Sequence, residues 1–209
     1  MKSIQIIKKV NNTEIGAAST HETYILVTQD MKVDDVFSET NKLYNFVDKK
    51  DNEVFPIRHV VGREQRIVGL GPFYRKHNFS AGDEIVIEKI INNGSEKYYL
   101  SSNQYKNSTI LIKNTPGFEV LNLENIKDLS VEQNAVFKGK RCRAELRFSE
   151  SKKKRADSPK ETDYYKLIID GKDETIQFGH NDMLELFQMN GALFINTFCA
   201  WKKYIIEVG

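Results

Sequence analysis

The stretch "GREQRIVGLGPFYRKHNFSAGDEIVIEKI", residues 62–90, decides how the first half of the chain is read. It opens on a polar run holding Arg63, Gln65 and Arg66, then passes through the short apolar run "IVGL". In "GPFYRKHN" Pro72 stands where a first helical turn accepts proline. "SAGD" turns the chain, and "EIVIEKI" is a strand committed to a core. A polar loop beside so firm a neighbour is free to touch a partner, because the scaffold holds it in place. The basic side chains of this loop suit an acidic partner.

On the N-terminal side, "SIQIIKKV" and "TYILVTQ" read as strands, separated by the polar, aperiodic loop "NNTEIGAASTHE". "DDVFSE" begins with an N-capping Asp and predicts a short helix. "KLYNFVDKKDNEVFPIRHV" predicts a hairpin turning at Asp51 and Asn52, and "NNGSEKYYL" closes another. The expectation for residues 1–115 is mainly β with short helices: a small closed or nearly closed barrel of six or seven short strands.

The remainder, 116–209, reads as a smaller α+β extension of unknown role, divided from the barrel near "KNTPGFEV". "AVFKGKRCRAELRFS" and "DYYKLIIDGKDETIQF" predict strands, with the charged, Pro-containing run "ESKKKRADSPKET" as a mobile link. "NDMLELFQMNG" predicts a helix stopped by Gly191, and "ALFINTFCAWKKYIIEV" one or two buried strands. No internal repeat is visible.

Composition narrows the function classes. The chain has 209 residues, with 31 Lys+Arg against 29 Asp+Glu and a net charge of +2. Residues 1–115 hold 16 basic against 14 acidic residues, and 116–209 hold 15 against 15. Affinity for a polyanion must therefore come from clustered charge. Two cysteines, Cys142 and Cys199, are too few for a disulfide framework or a structural zinc site, and reduced thiols are expected. No run has membrane-spanning length, so a cytoplasmic protein without a membrane partner is expected. No G-x-x-x-x-G-K-S/T or H-x-K motif occurs. "ESK" at 150–152 matches only the end of the PD-(D/E)-x-K pattern of magnesium nucleases. No catalytic residue, metal ligand or cofactor is assigned.

The run from "VFPIRHVV" to "EIVIEKI" resembles the second half of the B-three DNA-binding pseudobarrel of plant transcription factors. There, a strand, a variable loop, a short strand, an aromatic-bearing helix and a Gly-Asp turn precede the closing strand. Phe73 matches the aromatic and Gly82-Asp83 the turn, while Gly71-Pro72 stand where the plant proteins usually carry Trp. "IIKKVNNTEIGAASTHETYILV" is similar to the opening of the same fold in the recognition domains of restriction endonucleases such as EcoRII, BfiI and NgoAVII, and of the McrB-like LlaJI restriction protein. The likeness covers about residues 3–100.

The resemblance implies an open seven-stranded pseudobarrel with two arms that enter the DNA major groove, here 11–22 and 58–66. The first offers Asn11, Asn12, Thr13, Glu14, Ser19, Thr20 and His21, and the second Arg58, His59, Arg63, Glu64, Gln65 and Arg66. Mixed donors and acceptors of this kind suit base reading: Arg pairs with guanine, Asn or Gln with adenine, and a carboxylate accepts from cytosine. Lys8, Lys9, Arg75 and Lys76 flank the arms as expected phosphate contacts. The expected partner is double-stranded DNA, read for a restriction system, with a motor domain in the same polypeptide and a separate nuclease subunit. Two alternatives stay open: a complete small metal-dependent nuclease with its site in 116–209, or a transcription regulator or protein-interaction module on the same barrel.

Overall fold

The computed structural model describes residues 1–17, 22–104, 108–122, 129–154, 156–198 and 200–208. They form two units, Met1–Gln104 with Trp201–Gly209, and Tyr105–Ala200. The chain is mainly β with a few short helices, as expected.

The first unit contains seven strands from its N-terminal segment: β1 (Lys2–Lys9), β2 (Tyr24–Val27), β3 (Tyr44–Asp48), β4 (Val54–Val61), β5 (Gln65–Val68), β6 (Glu84–Asn92) and β7 (Ser95–Asn103). They line up as β1-β6-β7-β3-β4-β5-β2, every pair antiparallel except β3 with β7. β1 and β2 do not pair, so the curled sheet stays open. Alternation supplies the core: Ile25, Phe46, Ile57, Ile67, Ile85 and Leu100 point inward and are buried. Between β5 and β6 the single helix α1 (Gly71–Lys76) starts with Pro72 in its first turn. Its Phe73 is fully buried and meets Phe55 edge to face at 5.5 Å. Gly69 lets the chain leaving β5 pass close over the backbone of β4. Its φ is +97°, and a Cβ there would lie 2.4 Å from the Pro56 carbonyl. Of the expected "DDVFSE" helix only Asp34 and Asp35 are helical, in the 3-10 turn Val33–Asp35 that follows another at Gln29–Met31.

The second unit departs further from the sequence reading. Its strands are β8 (Ser108–Lys113), β9 (Phe118–Val120), β10 (Gln133–Phe137), β11 (Lys140–Lys153), β12 (Glu161–Ile169), β13 (Lys172–Asp173), β14 (Met183–Met189) and β15 (Ala192–Phe198). Where an α+β extension was expected, its described residues hold strands and one 3-10 turn, Thr175–Gln177. Residues 183–189, expected to be helical, are strand β14. Leu184 and Leu186 alternate inward with period two, and Asn190-Gly191, both at positive φ, form a hairpin turn and not a helix stop. The "ESKKK" run continues β11 past a bulge at 148–150 and pairs with β12, so it is no loose link. Pro116-Gly117 turn between β8 and β9 inside this unit, so the boundary lies nearer residue 105 than 116. The last strand, β16 (Trp201–Glu207), returns to the first unit and pairs with β1.

The two units share one topology. Leaving out the two-residue β13, the second unit's strands number one to seven in chain order. Their neighbours run first-sixth-seventh-third-fourth-fifth-second, as in the first unit, again with only the third and seventh parallel. Here the first and second strands also pair, β8 with β9, closing a seven-stranded barrel. The turn before the sixth strand recurs atom for atom. Ser80 N donates to Asp83 Oδ2 at 2.8 Å, and Gly179 N to Asp182 Oδ2 at 2.7 Å. Gly82 N donates to the Val10 carbonyl and Val10 N to that of Asp83; Asn181 N donates to the Lys113 carbonyl and Lys113 N to that of Asp182. "SAGD" and "GHND" share only the Asp, so the repeat lies in hydrogen bonding more than in letters.

Candidate nucleic-acid interface

The first arm joins β1 to β2 through residues 10–23. Its root is fixed by the Gly-Asp turn, through Val10 N to the Asp83 carbonyl at 3.0 Å. Glu14 then folds the arm. Its Oε2 accepts from Lys8 Nζ at 2.9 Å and Asn11 N at 3.1 Å, and its Oε1 from Leu26 N at 3.2 Å. Asn11 Oδ1 accepts from Glu14 N at 3.0 Å, and the Glu14 carbonyl from Tyr24 N. Glu14 and Lys8 are both buried, a charge pair whose lone pairs and protons find further partners. Lys8 and Glu14 are therefore paired with each other beneath the arm.

Of three other expected contacts, Lys9 and His59 are turned inward and Lys76 is taken up by carboxylates. Lys9 is buried, 3.9 Å from Glu84. His59 lies in the core beside Phe37, and its ring nitrogens have no hydrogen-bond partner among the described residues. Lys76 is held by Asp48, Asp51 and Glu53 at 3.0, 2.6 and 2.8 Å. Burial alone would favour its neutral form, but the three carboxylates outweigh it and push the ammonium well above the usual lysine range. A cation so compensated adds little attraction for phosphate.

The second arm is shorter than 58–66. Residues 58–61 belong to β4 and 65–66 to β5, so only Gly62–Glu64 turn, closed by Gly62 N to the Glu64 carbonyl at 3.1 Å. Pairing His59 with Ile67 on the core side leaves Arg58 and Arg66 on the outer face. Arg58 and Arg63 are exposed and have no carboxylate partner among the described residues; Glu64 is exposed and Gln65 half-buried. Arg75 of α1 is also exposed. A side chain at Gly71 would strike Thr23 Oγ1 at 2.7 Å and crowd Arg75 Nη1 at 3.2 Å. Glycine there lets Arg75 lie beside the end of the first arm.

Arg66 connects the two arms. Its Nε and Nη2 donate to Glu64 Oε2 at 3.1 and 2.8 Å, and its Nη1 to Glu22 Oε2 at 3.1 Å. The guanidinium lies 4.2 Å above the centre of the Tyr24 ring. The Glu64 hydrogen bond, with Tyr24, Glu64 and Glu22 close by, outweighs desolvation and raises the Arg66 pKa further. Burial raises the Tyr24 hydroxyl despite the nearby Arg66 charge. Glu22 and Tyr24 were not singled out in the sequence; the only signal was their position at the end of the first arm. Asn12 and Thr13 are half-buried there, and Ser19, Thr20 and His21 lie outside the described residues.

The nuclease half-motif gains a strand, and one strand beyond β12, Glu119 of β9 pairs with Tyr164 on the same face, where Lys154 Nζ holds it at 2.8 Å. Glu150 and Lys152 share a face of β11 and stand opposite Tyr164 and Thr162, while Asp163 and Glu161 belong to the other face. Among the described residues, no three His, Cys, Asp or Glu side chains converge as a metal site, and no helix is long and apolar enough to cross a membrane.

No family model and no curated protein matches this chain. Among solved structures, it is similar to an Arabidopsis FUS3–DNA complex, at 14% identity over 47% of this chain and 94% of that one, with a TM-score of 0.37. It is also similar to the N-terminal domain of Helicobacter pylori LlaJI.R1, at 13% identity over 50% of this chain and 82% of that one, with a TM-score of 0.35.

Proposed function

We propose that the first unit is a sequence-specific binder of double-stranded DNA, with the first arm and the β4–β5 turn entering the major groove. The observation that carries this reading is the Glu22–Arg66–Glu64 bridge. It joins the end of the first arm to the β4–β5 turn, and Arg58, Arg63 and Arg75 of the same unit stand exposed. On this reading Arg63, Gln65 and Asn12 contact base edges, and Arg58 and Arg75 contact phosphates. Lys8, Lys9, Glu14, His59 and Lys76 leave the contact set and serve the scaffold.

The module would select the target for a restriction system, McrB-like or type II, in the cytoplasm. A motor domain in the same polypeptide and a separate nuclease subunit would follow from the resemblance to restriction recognition domains. Selection from a pool of random duplexes, run with and without cytosine methylation, tests the reading. A defined site is expected. Recovery of no site would favour a protein-interaction role for the barrel, and cleavage of plasmid by the chain with magnesium would favour the nuclease.

A further inference from the structure

The acids around Arg66 have a role of their own at this interface. A guanidinium has five N–H donors. Three hydrogen bonds occupy Arg66, two to Glu64 and one to Glu22, which leaves one N–H on Nη1 and one on Nη2. Nη1 and Nη2 are the two atoms whose N–H groups can meet guanine O6 and N7 side by side. Tyr24 stacks on one face of the group, so its plane is set before any ligand arrives. An ordinary arginine loses rotamer freedom on binding; this one has already lost it.

The same arrangement works against random duplex. Two carboxylates around one guanidinium leave the cluster one charge negative, on a sheet face that also carries Arg58. A phosphate approaching Arg66 meets net repulsion. A base edge does not, if it offers an amino donor to a carboxylate while its neighbour offers two acceptors to the arginine. The G·C pair has this pattern in the major groove, with guanine O6 and N7 beside cytosine N4–H. Specificity of this kind comes as much from penalising the wrong partner as from rewarding the right one.

We infer that Glu22 and Glu64 are specificity-determining residues that hold Arg66 for a G·C pair and repel it from phosphate. This inference rests on the DNA-binding reading and assigns a role to Glu22 that the arm sequence did not suggest. Three full-chain variants test it: Glu22→Gln, Arg66→Ala and Arg66→Lys. Each is measured by titration against the selected duplex and a scrambled duplex, over a series of salt concentrations.

Glu22→Gln should bind scrambled duplex more tightly and steepen the dependence of log K on log salt by about one phosphate contact, about 0.9 in slope. Its ratio of specific to scrambled affinity should fall at least about fivefold. Arg66→Ala should erase the preference at one G·C pair of the site. Arg66→Lys should lose the same preference, since an ammonium lacks the planar fork. A purely structural Glu22 would lower both affinities together and leave the salt slope unchanged. That result, or a selected site whose G·C preference survives Arg66→Ala, would overturn the inference alone. Failure of the wild-type chain to bind any duplex would overturn it together with the DNA-binding reading.

Discussion

The two units of this chain follow one strand order, and the connection between their first two strands sets them apart. In the first, 14 residues, Val10–Thr23, lead from the first strand to the second. In the second, Asn114, Thr115, Pro116 and Gly117 do so. Four residues leave β9 nowhere to go but alongside β8, and Asn114 N and the Gly117 carbonyl close the turn at 2.8 Å. The longer connection releases β2 to pair with β5 alone, and β16 takes the vacant side of β1. An open sheet with an arm and a closed barrel without one thus arise from the same framework. The comparison teaches that the loop length between the first two strands decides whether this topology presents a polar arm.

The largest test of that contrast removes the staple of the open unit. Glu14→Ala leaves Lys8 buried without its carboxylate and should cost about 3–5 kcal/mol. Trp201, the one tryptophan of the chain, belongs to the first unit, so its fluorescence during urea unfolding isolates the effect there. Unchanged Trp201 unfolding would mean the arm does not depend on this pair.

Next in size is the turn between the fourth and fifth strands, which the two units carry in different forms. Arg63→Ala should loosen discrimination at particular base pairs by about 1–3 kcal/mol in competition binding. Lys153→Ala, at the corresponding end of β11, should change discrimination by less than about 0.5 kcal/mol. Equal effects would erase the functional difference between the units.

The shared Asp turn gives a finer comparison. Asp83→Ala and Asp182→Ala each remove a carboxylate that accepts from a backbone N–H three residues earlier, worth about 1–2 kcal/mol. Asp83 is buried and Asp182 exposed, so the first should cost more by equilibrium denaturation.

The smallest effect depends on pH. Burial would raise the Asp48 carboxyl, but its hydrogen bonds to Lys50 N, His77 and Lys76 hold it below the usual aspartate value. A depressed folded value means the unfolded chain takes up the proton first. The stabilisation is therefore complete above the ordinary value of about 4 and is lost as pH falls through the folded one. The stability gap between the wild type and Asp48→Asn, read at Trp201, should narrow as pH is lowered from 7 towards 3. A gap that widens in acid would contradict this sign.

Much of the first unit was legible because its signals are local. Strand alternation, Pro72 at the start of α1 and the turn at Gly82-Asp83 each depend on a few neighbouring residues. The site was half legible for the same reason. Polar arm residues are visible in sequence, but whether Lys8, Glu14 and Lys76 face a ligand or each other depends on partners 6 to 28 positions away. β14 was misread because "MLELFQM" satisfies both a helical and a strand period, and its two flanking strands settle the choice.

By itself, then, the amino-acid order determined where chain segments extend, where they turn and which side chains are apolar, since those preferences are set within a few residues. Only the tertiary structure decided that the halves repeat one topology, that one sheet closes while the other stays open, and that Glu22, Arg66 and Glu64 meet. Each of those depends on pairing between strands far apart in the chain, where many sequences satisfy the same hydrogen-bond pattern and few letters need be shared.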